Sequence, residues 1–127
     1  MKNTNRIVGG LVLVLALVIS GSAIGRGSAT DVTIRIAPSV LQLDTVQGGE
    51  ITVHADIPLS RVDTFSVELS GVPALYTKAD ARGNLVAKFD ENEIEALVSP
   101  PEATLTLIGL TVDGEPFTGS GVVGVRD

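Results

Sequence analysis

There is no cysteine among the 127 residues. Thiolate catalysis, thiolate metal sites, disulfides and a lipid-modified N-terminal Cys are all excluded, so the fold must stand on packing alone. Tryptophan is absent too, and the aromatics are three Phe and one Tyr: Phe65, Phe89, Phe117 and Tyr76. Carbohydrate-binding faces usually need exposed aromatic platforms, and three of these four are expected on inward or turn-adjacent positions, which leaves the loop residue Tyr76 as the one candidate for ligand contact.

There is one histidine, His54. Any Ser–His–acid arrangement would have to use it, and nothing in the sequence brings Ser66 or Glu68 to it. No nucleophile elbow, phosphate loop or dinucleotide fingerprint occurs. Gly119, Gly121 and Gly124 fall in a terminal strand rather than before a helix, so they do not read as a phosphate cradle.

Positive charge is scarce: 9 Lys and Arg stand against 15 Asp and Glu, a net charge of −6. The imbalance disfavours nucleic acid and anionic lipid surfaces as partners and favours solubility.

The N-terminus reads as a targeting segment. Lys2 and Arg6 precede an apolar run from Ile7 to Ile19, and small residues follow at Ser20, Gly21, Ser22 and Ala23. That is the order of a secretory signal, with cleavage expected after Ala23 or after Ala29. The competing reading is an uncut anchor over Ile7 to Gly25, near the roughly 20 residues of a spanning helix. A membrane is a partner only in that case. Removing Lys2 and Arg6 leaves 7 basic residues against 15 acids, or −8 after a cut at Ala23. The expected division is residues 1–29 as signal and linker and 30–127 as one domain, secreted, periplasmic or at the cell surface.

Past the linker, polar and apolar residues alternate. Val32, Ile34 and Ile36 form one inward set, and Leu41 and Leu43 another, interrupted by Pro38. Gln47-Gly48-Gly49 is a turn, and Ile51, Val53, Ala55 and Ile57 form the clearest strand. Phe65, Val67 and Leu69 are expected inward, then a turn at Gly71 and Pro73, then a polar loop over residues 76–84. Leu85, Ala87 and Phe89 face in, with Val86 and Lys88 out.

The period then changes. Asp90 stands at an N-cap with Glu93 three residues on, and Ile94, Leu97 and Val98 share one face of a short helix ended by Pro100 and Pro101. The acids Asp90, Glu91, Glu93 and Glu95 read as cap and dipole partners rather than as a catalytic pair. Two strands, about 103–112 and 117–125, flank the hairpin signal Asp113-Gly114. Gly109 is expected to mark a β-bulge that turns Leu110 and Val112 inward. About seven short strands with one short helix imply an all-β sandwich.

The stretch from Ala103 to Ser120, with its strand, Thr, Asp-Gly turn and Gly-Ser, resembles the ending of small secreted immunoglobulin-like modules of bacterial and archaeal extracellular proteins. Residues 36–43 resemble the opening of such modules and residues 84–89 their middle strand. The resemblance implies an immunoglobulin-like β-sandwich, often part of a larger protein, with no established activity. It also implies an Asp-rich Ca²⁺ loop before the middle strand. In that loop only Asp80 and Asn84 keep suitable oxygens, Tyr76 and Lys78 stand where acids belong, and Lys78 and Arg82 oppose a cation. The expectation is therefore an ordinary turn without Ca²⁺ or another cofactor.

Function reads as a non-enzymatic structural or interaction module for an unknown protein or surface polymer. Three alternatives stand beside it: a fibre subunit that donates residues 31–37 to another copy, a weak Ca²⁺- or ligand-binding accessory domain, and an enzyme or inhibitor acting through end loops.

Overall fold

A computed structural model describes residues 29–45 and 48–127. The expected signal segment, and Gln47 of the expected turn, lie outside the described residues. The described chain is all-β apart from one short helix and one 3₁₀ turn. The strands are β1 (Thr30–Asp31), β2 (Ile34–Ala37), β3 (Val40–Gln42), β4 (Glu50–Pro58), β5 (Val62–Leu69), β6 (Val72–Pro73), β7 (Tyr76–Ala79), β8 (Asn84–Asp90), β9 (Glu102–Thr111) and β10 (Pro116–Arg126). The 3₁₀ turn covers Leu59–Arg61 and helix α1 covers Glu91–Glu95.

Two sheets result. One runs β1-β10-β9-β5-β6, with β3 also paired to β10, and the other runs β2-β4-β8-β7. The opening segment is divided between them: β1 and β3 lie parallel to β10, while β2 lies antiparallel to β4. One core fills the space between the sheets. Ile51, Val53, Leu85 and Phe89 enter it from the four-stranded sheet, and Val67, Leu69, Leu105, Leu107, Phe117 and Val123 from the larger one. Strict alternation makes this possible, because residues two apart on a strand share a face. In β10 the glycines take part by their smallness. A Cβ on Gly119 would stand 2.5 Å from the carbonyl oxygen of Val32, so the opening segment packs against bare backbone there.

The expected sets 34/36, 51/53/55/57 and 85/87/89 all point to the core side. The hairpin joining β9 to β10 is also as expected. Thr111 closes it, its Oγ1 accepting the amide N–H groups of Asp113 and Glu115 at 3.3 and 3.1 Å. Asp90 caps α1, with its Oδ1 accepting the Glu93 N–H at 3.1 Å.

Four expectations are corrected. Phe65 does not enter the core; it is 100% exposed. Leu110 and Val112 also face outward, while Thr111 is buried. Both errors have one cause. An irregularity does occur at Gly109, but the extra residues are on β5: between Asp63 and Glu68 four residues stand against the single Gly109 of β9. On its other edge β9 pairs with β10 in unbroken register, so the alternation of β9 runs straight through. Leu97 is exposed because α1 ends at Glu95, before a second turn could carry it back over the core. Within the segment expected to be a loop, Tyr76–Ala79 is strand β7. As an edge strand it buries almost nothing, so it carries no apolar alternation to be read.

A short hairpin adds β6. Ser70 and Gly71 both have positive φ, 49° and 90°, the two-residue connection whose twist matches the strands it joins.

Candidate functional site

The two residues singled out for metal binding, Asp80 and Asn84, do lie together, in the tight turn from β7 to β8. Asp80 Oδ1 accepts the N–H groups of Arg82 at 2.8 Å and Asn84 at 3.0 Å. The Asp80 N–H donates to the Asn84 carbonyl, and the Gly83 N–H to the Asp80 carbonyl, both at 2.9 Å. The amides of Asn84 and Arg82, helped by the charges of His54 and Arg82, hold the Asp80 carboxyl below the usual carboxylate range. Ca²⁺ takes six to eight oxygens. Asp80 and Asn84 bring few oxygens toward that number, and one oxygen of Asp80 is committed to the turn. These residues do not fit a Ca²⁺ site.

The same turn borders an open depression of about 550 Å³ on the outer face of the four-stranded sheet. Thr33, Arg35, His54, Asp56, Asp80 and Arg82 line it. Asp56 Oδ1 accepts the Thr33 N–H at 2.8 Å, tying the edge strand to β4. His54 alternates with the core residues Val53 and Ala55 and so faces out of the sheet, but it is only partly exposed, and its Nδ1 is buried without a hydrogen-bond partner. Ser66 and Glu68 stand on β5 in the other sheet, so neither forms an arrangement with His54.

A second concavity, about 400 Å³, opens where the edges of the two sheets meet. Phe65, Leu75 and Tyr76 line it with Thr64, Pro73 and Thr77. Phe65 is held out by a structured bulge. Its N–H donates to Asp63 Oδ1 at 3.2 Å. Ser66 Oγ donates to the Asp63 carbonyl at 2.6 Å and accepts the Leu110 N–H at 2.8 Å, replacing a ladder bond. The Tyr76 hydroxyl donates to Glu50 Oε1 at 3.3 Å. Partial desolvation, with the Glu50 charge beside it, raises the Tyr76 phenol above its ordinary value. Sequence reasoning missed Phe65 because Phe65, Val67 and Leu69 fit one alternating set.

The acidic run at α1 divides in two. Asp90 and the Glu93 amide form the cap described above. Glu91 is buried against Gly49, whose carbonyl accepts the Glu91 N–H at 3.1 Å. Burial, then the charge and hydrogen bond of Glu91, push the Glu95 carboxyl up.

Among the described residues no helix is long and apolar enough to cross a membrane. No protein-family model matches the chain, and no curated protein matches it. Among solved structures, one match comes from work on host cell surface retention of a 1.5-MDa bacterial ice-binding adhesin. It is 17% identical with a TM-score of 0.38, and the match covers 87% of this chain and 34% of the other. A likeness of that size transfers neither fold nor function.

Proposed function

We propose that this chain is a non-enzymatic interaction module of the immunoglobulin-like kind, working outside the cytoplasm, secreted or at a cell surface. The observation that carries the interaction role is Phe65: a wholly exposed aromatic on a hydrogen-bonded bulge, beside exposed Leu75 and Tyr76. Fully burying such a side chain is worth roughly 1.5–3 kcal/mol, which a folded chain leaves unused unless a partner takes it up. Aromatic side chains at a concave surface are the usual anchors of interfaces. Strand order supports the immunoglobulin-like reading. The order β2-β4-β8-β7 matches a four-stranded ABED sheet, and β5-β9-β10 a CFG sheet. The export signal read in residues 1–29 supports the location.

The test is retention on the producing organism's own cells. Labelled protein is expected to stay on the surface through washing, and the F65A/Y76A double variant to be washed off. Equal retention of both, or recovery of the native protein from the cytoplasmic fraction, overturns the reading.

A further inference from the structure

We infer that the outer face of the four-stranded sheet binds an oxyanion, with a carboxylate or sulfate of the ligand held in the depression between Arg35, His54 and Arg82. The first ground is where positive charge lies. All 15 acids fall in residues 31–127, but of the 9 Lys and Arg, Lys2, Arg6 and Arg26 precede that stretch, leaving six. Four of these six, Arg35, Lys78, Arg82 and Lys88, converge on this one face together with the chain's single histidine.

Strand register shows the convergence directly. Arg35 pairs with His54, His54 with Val86, and Val86 with Lys78, a row running straight across the sheet. Residues directly opposite one another share a face. Lys88 stands in the next row between Thr52 and Tyr76, its Nζ donating to Thr52 Oγ1 at 2.7 Å. Val86 faces away from the core yet is 2% exposed, so the surrounding side chains cover it.

The acids on this face accept hydrogen bonds that orient them and leave their charge in place. Asp56 accepts the Thr33 amide, Asp80 the amides of Arg82 and Asn84, and Glu50 the Tyr76 hydroxyl. Arg35, on the edge strand β2, and Arg82, on the turn, both line the depression. A guanidinium grips carboxylate or sulfate oxygens with paired N–H donors. Because Nδ1 of His54 is buried, Nε2 is the ring nitrogen left to meet a ligand. A volume of about 550 Å³ suits a monosaccharide-sized group or a small acid. With Asp56 and Asp80 close by, the site suits one oxyanion at a time, at millimolar strength, rather than a dense polyanion. The inference does not depend on the Phe65 groove or on export.

The single histidine makes the test simple. The His54 imidazole resonance is followed by NMR while sodium sulfate, sodium acetate or sodium chloride is added at constant ionic strength. A saturating shift with sulfate or acetate, absent with chloride, is expected; the stronger of the two tells a sulfated from a carboxylated ligand. R35Q and R82Q should each weaken binding about tenfold, the loss of one charge-assisted contact. R126Q, on the other sheet, should change it little. Both arginines are exposed, so a retained dispersed spectrum establishes that the variants fold. A linear shift equal to that with chloride, or unchanged affinity in both Arg variants, overturns the inference.

Discussion

The ring of Phe117 occupies the space a side chain at position 109 would need: a Cβ built on Gly109 stands 2.5 Å from Phe117 Cζ. The two residues are directly paired across β9 and β10, and Phe117 is almost wholly buried. Gly109→Ala must push the ring or bend the strand. The expected cost is about 1–3 kcal/mol, as for other overpacked cores. Urea denaturation measures it, and the F117A background supplies the control. There the ring is gone, so the added methyl should cost far less than in the wild type. Equal penalties in the two backgrounds would show that the contact is not the cause.

Exposure separates two phenylalanines that the sequence treats alike. Phe65→Ala should change stability by no more than about 0.5 kcal/mol, because nothing of the ring is buried. Phe89→Ala should cost about 3–5 kcal/mol, the loss of a fully buried ring and the cavity left behind. Ser66→Ala should fall between them, at about 1 kcal/mol, since it removes the acceptor of the Leu110 N–H. Comparable losses at Phe65 and Phe89 would mean that Phe65 packs against the domain after all.

Two carboxyls should tilt the pH dependence of stability in opposite directions. The folded-state pKa of Asp80 lies below its unfolded value, chiefly through the Asn84 and Arg82 amides. Its contribution is present above the unfolded pKa and is lost as pH falls through the folded one. Asp80→Asn should therefore flatten the acid side of the stability profile. Glu95 is raised by burial and by Glu91, so its contribution is full below the unfolded pKa and is lost as pH rises through the folded pKa. Glu95→Gln should remove that loss and gain on the wild type toward neutral pH. Denaturation midpoints measured from the acid range to neutral for the three proteins check both signs. A D80N profile parallel to the wild type would remove the turn carboxylate from the account.

Much of this architecture is legible in short windows of sequence. The alternation over residues 51–57 and 85–89, the Asp-Gly hairpin and the Asp90 cap are local devices, and the structure places each where its residues imply. They are legible because alternation, turn chemistry and capping involve residues within a few positions of one another. The acidic balance and the lack of thiol chemistry likewise follow from composition alone.

What only the tertiary structure decides is which strand absorbs a mismatch and which distant residues become neighbours. Gly109 signals an irregularity, but whether β9 or β5 carries the extra residues depends on the pairing of β9 with β10 on its far side, and that choice turns Phe65, Leu110 and Val112 outward. Edge position hides β7 from any periodicity, because a strand with little to bury need not alternate. The depression joins residues 33–35, 54–56 and 80–84, three segments with no local relation, and brings Arg35 and Arg82 to either side of His54. Periodicity reports the two faces of a single strand; the register between strands is set by pairing across the sheet, and only the folded chain contains it.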